Sequence, residues 1–244
     1  MRAPVDHIAA PAFPRNLPWL GGRPAGFPML LEFWDFCRVQ SLRTLSYMKA
    51  WHERYPDLSV AGVHAAGFAP SADPKAVEAA VDRLEIPYPV AIDTEYELWQ
   101  EYGNLGWPAR YLIDHRHMLL HYHYGEGGYE ETERAIQELL GMQRPLVAPV
   151  RPEEAPDADL EPQTDDVEGP YSGPYRAGAV WAVLDGTGTV TANGRTIAVE
   201  HPGCYELISH ERSTAGELAL ELGEGVRCHA VCFTPGLASG SPRS

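Results

Sequence analysis

The sequence predicts an α/β domain, a mixed sheet with helices on both faces, followed by a small all-β sandwich. Three observations carry this. Residues 28–141 alternate apolar strand-like runs with amphipathic helix-like ones. Residues 143–175 hold seven prolines among acidic residues, with no Lys or Arg between Pro152 and Tyr175. After that only short strand-like runs and turn residues remain.

Taken in order, residues 1–27 are rich in Pro and Gly and read as loop. MLLEFWDF is a buried strand. From Ser41 to about Tyr55, apolar residues recur at Leu42, Leu45, Met48 and Trp51, the spacing of an amphipathic helix. LSVAGVHA is a second strand, ending at His64. Asp73-Pro74 caps a helix through DPKAVEAAVDRLEI. YPVAID is a third strand and EYELWQEYGN a short helix. PARYLID and HMLLHYHYG form a strand pair. YEETERAIQELLG closes the domain as a helix, with Gly141 just beyond it.

The acidic, proline-rich stretch reads as an extended, self-repelling linker. Beyond it, GAVWAVL, GTVTA, RTIAVE, CYELIS, GELALEL and VRCHAVCF read as six short strands, with Asn193-Gly194 as a hairpin turn. The expected boundaries are 1–142 for the α/β domain, 143–175 for the linker, 176–236 for the sandwich and 237–244 for a frayed tail.

Hydrophobic residues make up 44% and charged residues 22% of the chain, normal for a folded domain. The net charge of −15 disfavours nucleic acid and anionic membrane surfaces as partners. The N-terminal run lacks a continuous apolar core of the signal-peptide kind, and no stretch has the length of a membrane span. The expectation is a cytoplasmic protein. Four cysteines, Cys37, Cys204, Cys228 and Cys232, are too few and too spread for a disulfide scaffold.

The first domain resembles thioredoxin-fold proteins of the TlpA and redoxin type. The residues that carry the likeness are Phe33-Trp34, the helix that follows, GVHA at 62–65 and GWPARYLID at 106–114. The layout of the whole chain is similar to the soluble part of DipZ-type proteins, a thioredoxin domain followed by a β-sandwich shaped like a carbohydrate-binding module. The resemblance implies a thioredoxin fold and a thiol-disulfide oxidoreductase lineage. It also implies a Cys-x-x-Cys motif whose first cysteine falls at 38 and second at 41. Those positions hold Arg38 and Ser41, in the run Arg38-Val39-Gln40-Ser41.

Dithiol exchange needs one sulfur to attack and another to resolve the mixed disulfide. Neither motif position supplies one. The expectation is therefore a domain that binds a peptide or small anion rather than exchanging dithiols. The resemblance places its groove between residues 36–41 and 106–109 and expects the Trp107–Pro108 bond to be cis. Arg38 at the helix start is the anion-binding candidate, against a plain solvent-facing arginine. Trp34, Ser41, His64, Trp107 and Pro108 complete the candidate binding set.

One alternative is a single-cysteine oxidoreductase that uses Cys37, beside Arg38 and near a helix start, with a protein thiol or disulfide as partner. Against it stands a packed core thiol. Another alternative is a binding or assembly module acting through the sandwich, with Trp181, Tyr171, Tyr175 and Tyr205 as sugar-stacking candidates, against core packing of the same residues, which is the expectation.

No cofactor is predicted. His121 and His123 share a strand face, but no spacing with Cys or carboxylates matches a metal site, and a solvated face is expected. Cys228 and Cys232 are expected on one face of a strand, about 13 Å apart and too far to bond.

Overall fold

The computed structural model describes residues 8–238 and divides into two units, 1–148 and 149–244. The end of the predicted tail, 239–244, lies outside the described residues.

In the first unit the strands are β1 (Trp19–Leu20), β2 (Met29–Trp34), β3 (Ser59–His64), β4 (Val90–Ile92), β5 (Ala109–Ile113) and β6 (Leu119–Tyr124). The helices are α1 (Val39–Arg54), α2 (Pro74–Arg83), α3 (Glu97–Glu101) and α4 (Tyr129–Leu139). The sheet order is β1-β4-β3-β2-β5-β6. β2, β3 and β4 run parallel; β1, β5 and β6 run antiparallel to their neighbours. This is the mixed sheet that the alternation predicts, in a thioredoxin-like fold.

All six residues of β2 are buried, as a central strand covered on both faces requires. Leu31, Phe33, Ala61, Val63 and Tyr111 form the core on one face. Leu45, Met48 and Trp51 of α1 are buried, as their spacing predicts. The Asp73 side chain caps α2 by accepting from Lys75 N at 3.0 Å.

β1 is an addition to the sequence reading. Trp19 pairs with Ala91, and Phe13 and Trp19 pack against the core. A two-residue strand between prolines leaves no periodic trace, so it read as loop. The strand face carrying His121 also differs from the solvated face expected. His121 is buried, 3.4 Å from Thr132 Oγ1 of α4. The chain after α4 is tied down by buried Glu133, which accepts from Tyr55 Oη at 2.6 Å and Val147 N at 2.8 Å.

The second unit contains β7 (Leu160–Glu161), β8 (Val167–Glu168), β9 (Gly173–Gly186), β10 (Gly188–Ala192), β11 (Arg195–Val199), β12 (Gly203–Leu218), β13 (Leu220–Leu222), β14 (Val226–Thr234) and β15 (Gly236–Leu237). A sheet of order β12-β9-β14-β8 and one of order β11-β10-β13 share a core of Val180, Leu184, Val190, Val199, Val231 and Phe233. β7 pairs with β15. Asn193 and Gly194 both have positive φ, as a tight hairpin turn demands.

The stretch read as a linker is therefore partly ordered into this unit: β8 adds to β14, and Phe233 N donates to Asp166 Oδ1 at 3.0 Å. Short, acidic edge strands lack the apolar alternation that marks a strand. Leu237, assigned to the tail, lies in β15, and Ala238 N donates to Asp159 O.

The expectation for the cysteines of β14 needs correction. The register shifts between Cys228 and Ala230, so a bulge at His229 reverses the alternation. Cys228 packs against the inner core with Val226, Val231 and Phe233, and Cys232 takes the opposite face. Burial pushes the Cys228 thiol up to about 11.

Candidate functional site

β2 delivers the chain to the site, and Asp35 turns it. Asp35 is fully buried, and each of its polar groups is spent on the turn. Its backbone O accepts from Arg38 N at 3.0 Å, and Oδ1 accepts from Cys37 N at 2.9 Å. Oδ2 accepts from Gly67 N at 2.7 Å, in the loop after β3. Its own N–H donates to Ser41 Oγ at 3.2 Å. One carboxylate thus stitches the β2–α1 turn to the β3 loop, and Ser41 serves as an acceptor inside that stitch.

His64 ends β3 and is 2% exposed. Its Nε2 stands 3.6 Å from Asp35 Oδ1 and has no hydrogen-bond partner. The rings of Trp34 and Phe36 flank it at 5.3 and 5.4 Å. Trp34 is fully buried beneath the turn, with its indole over Gly62. Gly62 is required there, since a Cβ would lie 2.9 Å from Trp34 Nε1.

The other wall is the loop before β5. Trp107–Pro108 is cis, as expected, and Phe27–Pro28 is a second cis bond that the sequence reading did not name. Trp107 Nε1 donates to Ala65 O at 2.8 Å, and its ring packs on Trp99 at 4.3 Å. Pro108 is buried and Trp107 partly exposed.

Arg38, the residue before α1, joins the two walls. Its guanidinium carbon lies 4.4 Å from the Trp107 ring and 4.8 Å from the Phe68 ring. Nη2 donates to Gly67 O at 3.4 Å, and Nε is buried without a partner. This differs from a solvent-facing arginine: the head is half-buried between aromatic rings. Gly67 makes room for it. A Cβ there would come 2.8 Å from Asp35 Oδ2 and 2.9 Å from Arg38 Nη2, and closer still to Arg38 Nε. α1 has no side-chain cap and no acid in its first turn, so its positive end carries no compensating carboxylate of its own.

Cys37 is 0% exposed. The structure thus brings Trp34, Cys37, Arg38, Ser41, His64, Trp107 and Pro108 into one locality, with Arg38 and Trp107 reaching its surface. Asp35, Gly67 and Phe68 belong to the same site and were not nominated. Asp35 lay inside the apolar run MLLEFWDF, and an acid at the end of a strand read as buried was the available signal.

Beneath the site lies a second unforeseen pair. Glu32 of β2 and Arg110 of β5 face each other in register, and both are 0% exposed. Burial raises the Glu32 carboxyl to about 8, against the pull of Arg110. Arg110 is held over the Tyr129 and Trp51 rings at 4.9 and 5.7 Å and donates to Gly127 O. Among the described residues, no group of three or more His, Cys, Asp or Glu is placed to hold a metal ion. No described helix is long and apolar enough to cross a membrane.

No family model matches the sequence. Protein DipZ of Mycobacterium bovis is 34% identical over 140 residues, covering 57% of this chain and 20% of DipZ. The chain therefore spans about a fifth of the length of that relative. Thiol-disulfide oxidoreductase YkuV of Bacillus subtilis is 24% identical over 114 residues, 46% of this chain and 77% of YkuV. Among solved structures, a thioredoxin-like protein in its oxidized form superposes with a TM-score of 0.47 at 22% identity, over 58% of this chain and 98% of that one. A thiol-disulfide isomerase from Corynebacterium glutamicum gives 0.46 at 16% identity, over 55% and 98%. The first unit of this chain thus combines the strand order of a thioredoxin-like fold with sequence similarity to DipZ and YkuV.

Proposed function

We propose that the first unit is a thioredoxin-fold binding domain, in which Arg38-Val39-Gln40-Ser41 replaces the dithiol motif of its lineage. A peptide segment or small anion docks in the groove between residues 36–41 and 106–109, without dithiol exchange. The observation that carries this reading is the placement of Arg38. Its guanidinium, clamped by Trp107 and Phe68, stands at the motif's first position and keeps its Nη1 edge for a ligand beside an uncapped helix start.

Two further facts support the loss of exchange chemistry. Cys37 is the single cysteine of residues 1–148, so no resolving thiol exists within the unit. It is 0% exposed, whereas an attacking thiolate needs access to the disulfide. Ser41 Oγ accepts the Asp35 N–H and is buried, a structural role.

The test is a titration of the whole chain with short peptides and carboxylate anions, read by fluorescence of the site tryptophans, beside an assay of model-disulfide reduction. Saturable quenching lost in Arg38→Ala, with no reduction above background, is the expected pair of results. Turnover that disappears in Cys37→Ser would establish the single-cysteine oxidoreductase instead.

A further inference from the structure

The Arg38 groove has a built-in competitor for its ligand, and a histidine stands beside that competitor. Asp35 and Arg38 meet across Gly67, where the carboxylate Oδ2 and two guanidinium nitrogens all lie within 3 Å of the point a Cβ would occupy. Asp35 is 0% exposed, so its charge acts on Arg38 with little screening by solvent. On the far side of Asp35, His64 Nε2 is 3.6 Å from Oδ1, 2% exposed and without a hydrogen-bond partner. The carboxylate thus lies between an arginine that is always charged and a side-chain type that changes charge between about pH 5 and 8.

Resting on the binding function proposed above, we infer that the groove's ligand carries a carboxylate and that protonation of His64 controls how tightly Arg38 holds it. With His64 neutral, Asp35 is the counter-charge of Arg38, and a second carboxylate at Arg38 is repelled. With His64 protonated, Asp35 is neutralised from its other side and the charge of Arg38 is available. Nη2 faces Gly67 O and Nε is enclosed, which leaves the Nη1 edge of the fork for the ligand.

The other groups around the pair do not supply the switch. Tyr96, from the β4–α3 connection, donates its hydroxyl to Ala66 O, and burial followed by the Asp35 charge raises its pKa. The Asp93 carboxylate is spent on the N–H groups of Leu98 and Trp99. The Cys37 thiol adjoins the turn and is buried. A cavity of about 40 Å³ lined by His64, Ala66, Ser71, Thr94 and Tyr96 has room for water beside His64.

The probes are an Ala-Asp-Ala peptide blocked at both ends, its Asn counterpart, and succinate. Affinities are measured on the whole chain at pH 5.5 and 8 by calorimetry. The expected result is roughly tenfold tighter binding of the Asp peptide at pH 5.5, with no such change for the Asn peptide. His64→Asn binds weakly at both values, and Asp35→Asn binds tightly at both. Succinate matching the Asp peptide marks a small-anion site; its failure marks a peptide site.

Equal affinity at the two pH values, or a pH response that survives in Asp35→Asn, overturns the inference while leaving a groove that binds. If none of the probes binds at either pH, both the inference and the groove reading fall. Should Asp35→Asn not fold, the wild type still decides. Coupling is reciprocal, so saturating Asp peptide must raise the NMR titration midpoint of His64, and an unmoved midpoint overturns the inference.

Discussion

The guanidinium of Arg38 and the indole of Trp107 stand 4.4 Å apart, joining the start of α1 to the loop that carries cis Pro108. Replacing Arg38 by Ala is expected to weaken carboxylate binding at least tenfold while lowering stability by only about 0.5–1 kcal/mol, the value of an accessible cation–π contact. Arg38→Lys keeps the charge and loses the planar fork, so it should recover only part of the affinity. Calorimetric titration and thermal melts of the three proteins check both halves.

Gly67→Ala attacks the same site sterically. Its Cβ would come within 3 Å of Asp35 Oδ2 and Arg38 Nη2. Moving a buried, hydrogen-bonded carboxylate costs about 1–3 kcal/mol, the scale of overpacking, and displaces Arg38 from the rings. A lower denaturation midpoint together with altered tryptophan fluorescence is the expected result; unchanged fluorescence would mean that Arg38 does not depend on this glycine.

The double substitution Arg38→Cys and Ser41→Cys places two thiols within one turn at the start of α1. A helix N-terminus lowers thiol pKa, so the first should be activated. This variant is expected to form an internal disulfide and to reduce model disulfides, and the proposed binding function expects neither of the native chain. Free-thiol counts and a reductase assay check it.

Glu32 sets a pH dependence of stability. Its carboxyl ionises near 8 in the fold, against 4.5 as its ordinary value. Between these values the folded chain holds a proton that the unfolded chain has released, so raising the pH favours unfolding. This contribution is intact below about pH 4.5, is lost progressively up to about 8, and is constant above that. Its size is on the order of several kcal/mol. Glu32→Gln should flatten the fall in denaturation midpoint from pH 5 to 8. An unchanged slope would show that Glu32 is not the group responsible.

The architecture was legible because its elements are long relative to their signals. β2 and β3 are unbroken apolar runs, and α1 has four apolar residues at helical spacing. What escaped was short or irregular. β1 and β8 have two residues each, and the His229 bulge reversed the faces assigned to Cys228 and Cys232. β12 runs unbroken from Gly203 to Leu218 where two strands were expected, because its register shifts interrupt the alternation without ending the strand.

For the candidate site, Arg38, Trp107 and Pro108 were nominated through motif position, and the structure brings them together. Their partners Asp35, Gly67 and Phe68 were not, because a carboxylate that bonds only backbone has no spacing signature. The in-register pair Glu32 and Arg110 was invisible for a similar reason: β2 and β5 are far apart in sequence.

The claim that the groove binds without exchanging thiols is tested most directly by the fate of Cys37. Native protein would be incubated with glutathione disulfide and, separately, with hydrogen peroxide, then examined by intact mass and peptide mapping. The account predicts no adduct or oxidation at Cys37 until denaturant unfolds the first unit, because the thiol is 0% exposed. A glutathione adduct or sulfenic acid formed at Cys37 in the folded protein would contradict it and make this cysteine the working group.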